Sequence, residues 1–403
     1  MRTAFTGEGT PFGRRLLVCL GSLAVATGLW LPCVHLFFTP DVEVWFAEAG
    51  MAPRAKALAA WQLRGWRRPE LRRAELRKMR GNNAEWDFMG RTFLVLALAN
   101  MAEREPPAAP EYLDIVDAIV DETLRLEAER GMYHFLMDYA TGRPYVAQPA
   151  RSLFIDGEIA LMLGARRLVE DEPRYRRPFR KRISAIVASM SRSPLLTAES
   201  YPDECWMFDH VNALAAIRIG DALDGTDHSE FIRRWLRTAK KRLTHDETGL
   251  LISSWFYDGT HKQGPEGSTI WMVAHALQLV DPAFARDQYE RAERELVERV
   301  LGFAYAREWP DSWQGLMDID SGPIIPGVGA SAGSSGLAFV GASAFGDRPL
   351  LRGLLTSLDF AAFPVERAGG LRYAASNQVG DAVLLYATVQ GPLWRKVRQE
   401  LPR

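Results

Sequence analysis

The fold is decided by residues 209–223, DHVNALAAIRIGDAL, in which small and apolar side chains occupy nearly every face of a helix. A helix that is apolar all round is buried on all sides, because no face of it gains from contact with water. The segment therefore predicts a fully buried inner helix, which other helices must cover.

Comparable apolar segments recur along the chain and alternate with charged, amphipathic segments. The apolar segments are 87–101, 156–168, 209–223, 268–279, 330–345 and 381–389. The charged segments include 112–130, 174–190, 229–243 and 282–306. A period near 50 residues indicates a repeat architecture. We therefore predict an all-α fold, an (α/α)6 toroid or barrel in which six inner helices are wrapped by outer helices, within one domain.

Composition narrows the function classes. The formal net charge of −1 gives no basic field of the kind that nucleic-acid binding uses. The three cysteines and seven histidines show none of the spacings typical of zinc sites. We therefore expect no nucleic acid, no metal site and no cofactor. The expected partner is a small-molecule or glycan substrate, and the oligomeric state stays open.

The N-terminal segment predicts one membrane span. Residues 16–38 carry no charge, and at about 1.5 Å per residue they are long enough to cross roughly 30 Å of hydrocarbon. Arg2, Arg14 and Arg15 precede this segment, whereas Asp41, Glu43 and Glu48 follow it. The positive-inside rule then predicts a cytoplasmic N-terminus and an extracytoplasmic body in a bacterial inner membrane. A cleaved signal peptide, with Ala24-Val25-Ala26 as its cleavage motif, is the alternative.

These features divide the chain into four parts. Residues 1–15 form a cytoplasmic N-terminus, 16–38 the transmembrane anchor, 39–81 a juxtamembrane helical segment and 82–403 the toroid domain. The juxtamembrane part is rich in arginine between residues 64 and 80, which suits either anionic lipid headgroups or a solvated helix face.

The toroid prediction directs attention to the starts of the inner helices. In such a ring the inner helices run in the same direction, so the loops before them meet at one mouth. Acidic residues near these starts would converge there, although each Asp is also a routine N-cap.

Four carboxylates are predicted to be catalytic. Glu158 lies near the start of an apolar helix, where poor solvation raises a carboxyl pKa toward the range useful for proton transfer. Asp203, Glu204 and Asp209 lie together in the aromatic-rich segment 201–212, and two carboxylates in different environments can take acid and base roles. Dipole-satisfied surface carboxylates are the alternative.

A second group is predicted to bind substrate, because aromatic rings can stack on it and polar groups can hydrogen-bond its edges. This group comprises Trp86, Asp87, Arg91, Tyr201, Trp206, His210, Trp255, Glu266, Asp318 and Asp320. Asp87 and Arg91 can instead form an i, i+4 ion pair. Asp318 and Asp320 alternate in sequence, so both point to one side of an extended segment.

Four segments resemble the linalool dehydratase/isomerase family: residues 85–87, 157–164, 201–227 and 271–284. The resemblance covers about residues 82–307 and implies an (α/α)6 toroid with its site in the central cavity. It also implies that a histidine and two cysteines, on which the terpene-alcohol enzyme of the family depends, correspond here to Glu158, Ser200 and Asp209.

Three functions are compatible with these observations. The first is a glycan-active hydrolase or lyase that uses Glu158 and Asp209 as its carboxylate pair. The second, implied by the resemblance, is a hydro-lyase or isomerase acting on an isoprenoid or other alkenol. The third is a membrane-tethered binding scaffold without catalysis, which predicts carboxylates that are solvated and paired.

Overall fold

A computed structural model describes residues 11–47, 49–319 and 321–401, and the chain is mostly helical over these ranges. Arg2 and Glu48, used above for orientation, and Asp320, a predicted site residue, lie outside the described residues. Fifteen α-helices are present in the described part: α1 Pro11–Trp30, α2 Pro53–Arg67, α3 Pro69–Asn82, α4 Ala84–Arg104, α5 Ala109–Arg130, α6 Leu153–Val169, α7 Pro173–Met190, α8 Met207–Asp224, α9 Ser229–Arg242, α10 Gly267–Leu277, α11 Pro282–Leu296, α12 Ala332–Phe345, α13 Arg348–Ala361, α14 Gln378–Val389 and α15 Pro392–Glu400.

Six helices pack against one another in a closed order. Helix α4 contacts α6, α6 contacts α8, and the series continues through α10, α12 and α14, which returns to α4. These are the six apolar segments found in the sequence. They are buried on all faces because a helix without a polar face is stable only inside a core.

The helices between them are amphipathic and lie outside this closed set. In α9, for example, Ile232, Trp235, Leu236 and Ala239 are buried, and their spacing of three and four residues forms a single stripe. Helices α5, α7, α11 and α13 each contact a neighbouring inner helix. Helix α2 contacts α14 and shares its hydrophobic core, so the sequence boundary at residue 82 marks the start of the repeat and not an edge of the core.

Four inner helices are capped by the residue just before the helix, and in α4, α6 and α14 this residue precedes an aspartate of the first turn. The side chains of Asn83, Ser152, Ser331 and Asn377 accept hydrogen bonds from backbone N–H groups of α4, α6, α12 and α14. The alternative in which aspartates cap these helices is therefore wrong for Asp87 and Asp156, which lie within the first turn of α4 and α6.

Short strands interrupt the helical plan. Strands β1 Cys205–Trp206, β2 Ser254–Trp255 and β3 His261–Gln263 form one antiparallel sheet in the order β1-β2-β3. Strands β4 Val297–Val300 and β5 Phe303–Ala306 form a hairpin, as do β6 Pro364–Arg367 and β7 Gly370–Tyr373. The prediction of one helix over 282–306 is therefore wrong beyond Leu296, where Val297, Val300 and Phe303 favour a strand pairing.

The N-terminal helix is the one element of the described chain long and apolar enough to cross a membrane. The candidate span is Phe12–Val44, and its most apolar 18-residue stretch has a mean hydropathy of 2.0 and is not buried. Length and composition alone support this statement, and a signal sequence meets the same requirement.

Candidate active site

Two buried carboxylates lie on neighbouring inner helices, and the charge of Glu158 acts on Asp209. Glu158 of α6 is 2% exposed and Asp209 of α8 is 6% exposed. The helices approach closely because Gly157 faces Ala213; a Cβ at position 157 would lie 3.4 Å from the Ala213 backbone nitrogen. This close approach lets Asn212 Nδ2 donate a hydrogen bond to Glu158 Oε1 at 2.9 Å.

Burial changes the protonation of both carboxyls. It raises the pKa of Glu158 to about 7, and the nearby Thr92 hydroxyl and Asn212 amide only partly oppose this rise. Burial also raises the pKa of Asp209 well above its usual range, opposed by the hydroxyl of Ser200, and the charges of Glu158 and Glu85 raise it further. Near neutral pH the pair therefore holds a protonated Asp209 beside a Glu158 that exchanges its proton readily, which is the requirement for acid/base chemistry.

A tyrosine in the loop before α8 contacts the first inner helix. The Tyr201 hydroxyl donates a hydrogen bond to Glu85 of α4 and accepts one from the Met137 backbone N–H at 2.9 Å. The Tyr139 ring stacks on Tyr201 with centroids 4.7 Å apart. Burial and the adjacent Glu85 carboxylate raise the pKa of Tyr201, so it remains a hydrogen-bond donor at physiological pH.

The other two predicted catalytic carboxylates carry cationic partners. Glu204 is close to Lys262 Nζ at 2.9 Å and to Arg143 Nη2 at 3.3 Å. Asp203, which has a left-handed φ of 57°, lies 3.7 Å from Arg143 Nη1 and accepts the Tyr257 backbone N–H. These ion pairs suggest that Asp203 and Glu204 hold the loop before α8 in place. Glu158 and Asp209 differ from them because, in the described part of the chain, no cation is among the neighbouring groups that shift their pKa.

Asp87 and Arg91 belong to a buried ion-pair network. Arg91 Nε donates to Asp87 Oδ1 at 2.8 Å, and Arg91 Nη1 lies 3.2 Å from Glu122 of α5. Arg80 of α3 also reaches Asp87 at 3.3 Å. This network links α4 to the outer helices, as the i, i+4 alternative predicts. Trp86 beside it is half-buried.

His210 and Trp255, two of the predicted substrate contacts, are buried in the packing around α8. His210 is fully buried, its Nδ1 lies 2.7 Å from the Trp206 carbonyl oxygen, and its Nε2 accepts the Ala198 N–H at 3.0 Å. Burial lowers the pKa of His210 to about 4, so the ring is neutral. Trp255 is also fully buried, with its ring 4.9 Å from His210. Trp206 is half-buried under Lys262, whose Nζ lies 5.7 Å from the ring centroid.

The remaining predicted residues lie in the loops before α10 and α12. Glu266 is the buried residue preceding α10, and its backbone N–H donates to Ser253 Oγ at 2.8 Å. Asp318 is exposed, and its carbonyl oxygen accepts a hydrogen bond from Gln263 at 3.2 Å. Its predicted partner Asp320 lies outside the described residues. Within the described ranges, no cluster of three His, Cys, Asp or Glu side chains suits a metal ion.

Two contributors to this site, Asn212 and Thr92, were missed in the sequence. Asn212 lies three residues after Asp209 on the same helical face, and that spacing was the available signal. Thr92 lies on α4 and Glu158 on α6, so no local sequence pattern predicts that the two are close. Asp381 of α14 is also buried, and burial raises its pKa to about 7 although it accepts the Tyr373 N–H at 3.4 Å.

The sequence profile of the linalool dehydratase/isomerase family matches residues 160–379, more than half of the chain. The chain therefore belongs to this family. The matched segment contains Ser200 and Asp209, and Glu158 lies immediately before it. No curated protein matches the chain.

Two solved structures show partial similarity to the chain. A glycoside hydrolase from family 105 of C. acetobutylicum ATCC 824 superposes with a TM-score of 0.46 at 12% identity, covering 80% of this chain and 98% of its own. The GH76 alpha-mannanase BT2949 of Bacteroides thetaiotaomicron also gives a TM-score of 0.46 at 12% identity, with 77% and 87% covered.

Proposed function

We propose that this chain is an enzyme that uses Glu158 and Asp209 as an acid/base pair to remove, add or relocate the hydroxyl group of an alkenol, such as an isoprenoid alcohol. The observation that carries this proposal is the pair itself: two buried carboxyls on packed neighbouring helices, one of them held by the Asn212 amide at 2.9 Å. Membership of the linalool dehydratase/isomerase family supports the same class of reaction.

The chemistry follows from the two protonation states. Protonated Asp209 gives its proton to the substrate hydroxyl, the C–O bond breaks and water leaves. The Glu158 carboxylate takes a proton from the carbon next to the cationic centre, and a C=C bond forms. The reverse sequence hydrates an alkene, and return of the proton or of water at another carbon isomerises the substrate.

Asn212 is suited to orient the substrate. Its Nδ2 is used by Glu158, whereas its Oδ1 is buried and has no donor among residues 11–47, 49–319 and 321–401. A buried acceptor of this kind costs free energy unless a donor reaches it. We propose that the substrate hydroxyl donates to Asn212 Oδ1, which places the C–O bond between the two carboxyls.

Burial also separates the three candidate functions. A glycan chain needs an open groove around its carboxylates, whereas Glu158 and Asp209 are 2% and 6% exposed. A binding scaffold would keep its carboxylates solvated at ordinary pKa values, whereas burial raises the pKa of Glu158 to about 7. Glycan cleavage by the same pair therefore stands second, and a non-catalytic scaffold third.

For the architecture, we propose an (α/α)6 toroid in which α4, α6, α8, α10, α12 and α14 are the inner helices. Their closed packing order supports this proposal. We propose further that the apolar N-terminal segment is retained as a single-pass anchor in a bacterial inner membrane, with the body in the periplasm. The arginines before the segment and the acids after it support this orientation.

The other predicted residues are assigned supporting roles. Tyr201, Asp203 and Glu204 shape the loop that precedes α8, and Trp206, His210 and Trp255 pack behind that loop. Trp86, Glu266 and Asp318 lie in or beside segments that begin inner helices, where they remain proposed substrate contacts. Asp320 is proposed for the same role from sequence alone.

The test uses the full chain in detergent or nanodiscs. It is incubated with a panel of tertiary and allylic alkenols, including linalool, and separately with bacterial and plant glycans. Gas chromatography detects alkenes and isomeric alcohols, and reducing-end assays detect glycan cleavage. Alkenol conversion that is lost in Glu158→Gln and in Asp209→Asn supports the proposal.

A matched control separates loss of chemistry from loss of folding. Glu230→Gln makes the same chemical change at an exposed carboxylate of α9 and should retain full activity. Glycan cleavage that depends on Glu158 and Asp209, without alkenol conversion, would replace the first candidate by the second. Conversion that survives both substitutions would remove the pair from the mechanism.

A further inference from the structure

Five exposed apolar side chains form a surface beside the N-terminal segment. Val300 and Leu301 lie at the tip of the β4–β5 hairpin, Phe360 at the end of α13, and Phe363 and Val365 at the start of the β6–β7 hairpin. Their exposed fractions run from 36% for Val365 to 63% for Phe363. We call these five residues the anchor-side patch. Clustered exposed apolar side chains of this kind mark an interaction surface.

The patch is continuous with the apolar N-terminal segment. Phe38 packs edge-on against Phe360 with ring centroids 5.1 Å apart, and Phe360 contacts Phe303 at 5.2 Å. His35 lies so close to the hairpin tip that a Cβ at Gly302 would approach its ring to 2.3 Å. The end of the apolar segment is therefore fixed against the patch, while Leu36 and Phe37 remain exposed beside it.

A basic surface adjoins the patch on its other side. Arg64 of α2 donates to the carbonyl oxygens of Arg367 and Ala368 at the tip of the β6–β7 hairpin, at 3.1 and 2.8 Å. Helix α3 follows directly. Four further cations are exposed here: Arg68 just before α3, and Arg73, Arg77 and Lys78 within it. Apolar side chains flanked by cations match the acyl chains and anionic headgroups of a bilayer surface.

We infer that the anchor-side patch is seated in the headgroup and upper acyl region of an anionic lipid bilayer, with the cations around α3 on the headgroups. The inference rests on the proposed retention of the anchor and is independent of the proposed reaction. It assigns the bilayer a second contact with this protein, which fixes the orientation of the body as well as its attachment. The sequence suited segment 64–80 either to lipid headgroups or to solvent, and the inference assigns its exposed cations Arg68, Arg73, Arg77 and Lys78 to the lipid headgroups.

The experiment places one fluorescent label at a time on the full chain in vesicles. Cys19→Ala and Cys33→Ala remove the accessible thiols, and Cys205 is buried. An environment-sensitive dye is attached through Leu301→Cys or Phe363→Cys. Leu23→Cys in α1 is the buried-in-lipid reference. Ser184→Cys is the control, because it is exposed on α7, which contacts α6 and lies across the ring from α13.

The vesicles contain phosphatidylglycerol and phosphatidylcholine with brominated acyl chains, which quench a dye only on contact with lipid. We expect strong quenching at positions 301 and 363, approaching that at position 23, and none at position 184. Replacing phosphatidylglycerol by neutral lipid should reduce quenching at position 363. Thermal unfolding of each labelled variant confirms that the fold is intact, and two label positions guard against a single damaged variant.

Three outcomes would overturn the inference. Quenching at positions 301 and 363 no greater than at position 184 would show that the patch does not contact lipid. Shielding of both dyes from aqueous iodide without quenching by lipid would show that protein, a second copy or a partner, covers the patch. Absence of quenching at position 23 would remove the anchor on which the inference rests. None of these readouts uses substrate, so they are distinct from a failure of the proposed reaction.

Discussion

Asn212 holds Glu158 across the contact between α8 and α6, with Nδ2 and Oε1 2.9 Å apart. The two residues are 54 positions apart in sequence, and both are buried. The bond fixes one carboxyl oxygen of Glu158 and opposes the burial that raises its pKa.

Glu158 should make the stability of the protein depend on pH. Burial raises its pKa from 4.5 to about 7, so the folded state keeps a proton that the unfolded chain releases between these values. The free energy of unfolding should therefore be highest below this window and should fall by about 3 kcal/mol as the pH rises through it. Glu158→Gln should lack the part of this fall that Glu158 contributes and should keep the part that comes from Asp381, whose pKa burial also raises to about 7. Denaturant unfolding of both proteins at pH 5 and pH 8 measures the difference, and parallel behaviour would contradict the prediction.

The rate of alkenol conversion should be bell-shaped in pH. Below about pH 7 the Glu158 base is protonated, and at high pH Asp209 loses the proton that it donates. Asn212→Ala removes a donor that favours the Glu158 carboxylate, so the pKa of Glu158 rises and the acid limb of kcat/KM moves to higher pH. Asn82→Ala, an exposed asparagine at the end of α3, is the control. An acid limb that stays in place would separate Asn212 from Glu158 in function.

Arg91 should be important for stability and unimportant for substrate binding. Arg91→Met leaves Asp87 without its 2.8 Å partner inside the α4–α5 contact. Breaking a buried ion pair costs about 3 to 5 kcal/mol. Denaturant unfolding should show this loss, with KM unchanged under conditions where the variant is folded. Arg233→Met at an exposed position of α9 should change the free energy of unfolding by less than about 0.5 kcal/mol. A raised KM without destabilisation would instead assign Arg91 to the substrate.

Gly267 should tolerate no side chain. A Cβ there would lie 1.9 Å from Ser334 Oγ and 2.6 Å from the Arg307 carbonyl oxygen, between α10 and α12. Gly267→Ala should lower the free energy of unfolding by about 1 to 3 kcal/mol through overpacking. Gly336→Ala in α12 meets nothing within 4 Å and should be neutral or stabilising by up to about 1 kcal/mol. Equal melting temperatures for the two variants would contradict the close approach at Gly267.

The helical plan was predictable because it depends on a short-range pattern. Residues 209–223 and 156–168 are apolar on all faces, and a helix of this kind has to be buried whatever surrounds it. The boundaries were less predictable. Helices α4, α6 and α14 begin before Asp87, Asp156 and Asp381, because Asn83, Ser152 and Asn377 supply the capping oxygens. Beyond Leu296 the pairing of β4 with β5 overrides the helical pattern.

The candidate site was predictable in part. The position of Glu158 at the start of an apolar helix already indicated a raised pKa, which burial in the structure produces. In the same segments, Asp203 and Glu204 resembled Asp209, and their cationic partners Arg143 and Lys262 come from other parts of the chain. The sequence could not distinguish these carboxylates, because they differ in the distant residues that they contact in space and not in the residues beside them in sequence.

The sequence by itself determined the alternation of buried and amphipathic helices, the apolar N-terminal segment and the family to which the chain belongs. These follow from side-chain type and periodicity, which act within a few residues. The tertiary structure decided which carboxylates lose water and which gain a cation, that Asn212 reaches Glu158, and that the β4–β5 hairpin lies against His35. Those contacts join residues far apart in sequence, and the solvation and charge of each group are set by what the packed helices bring beside it.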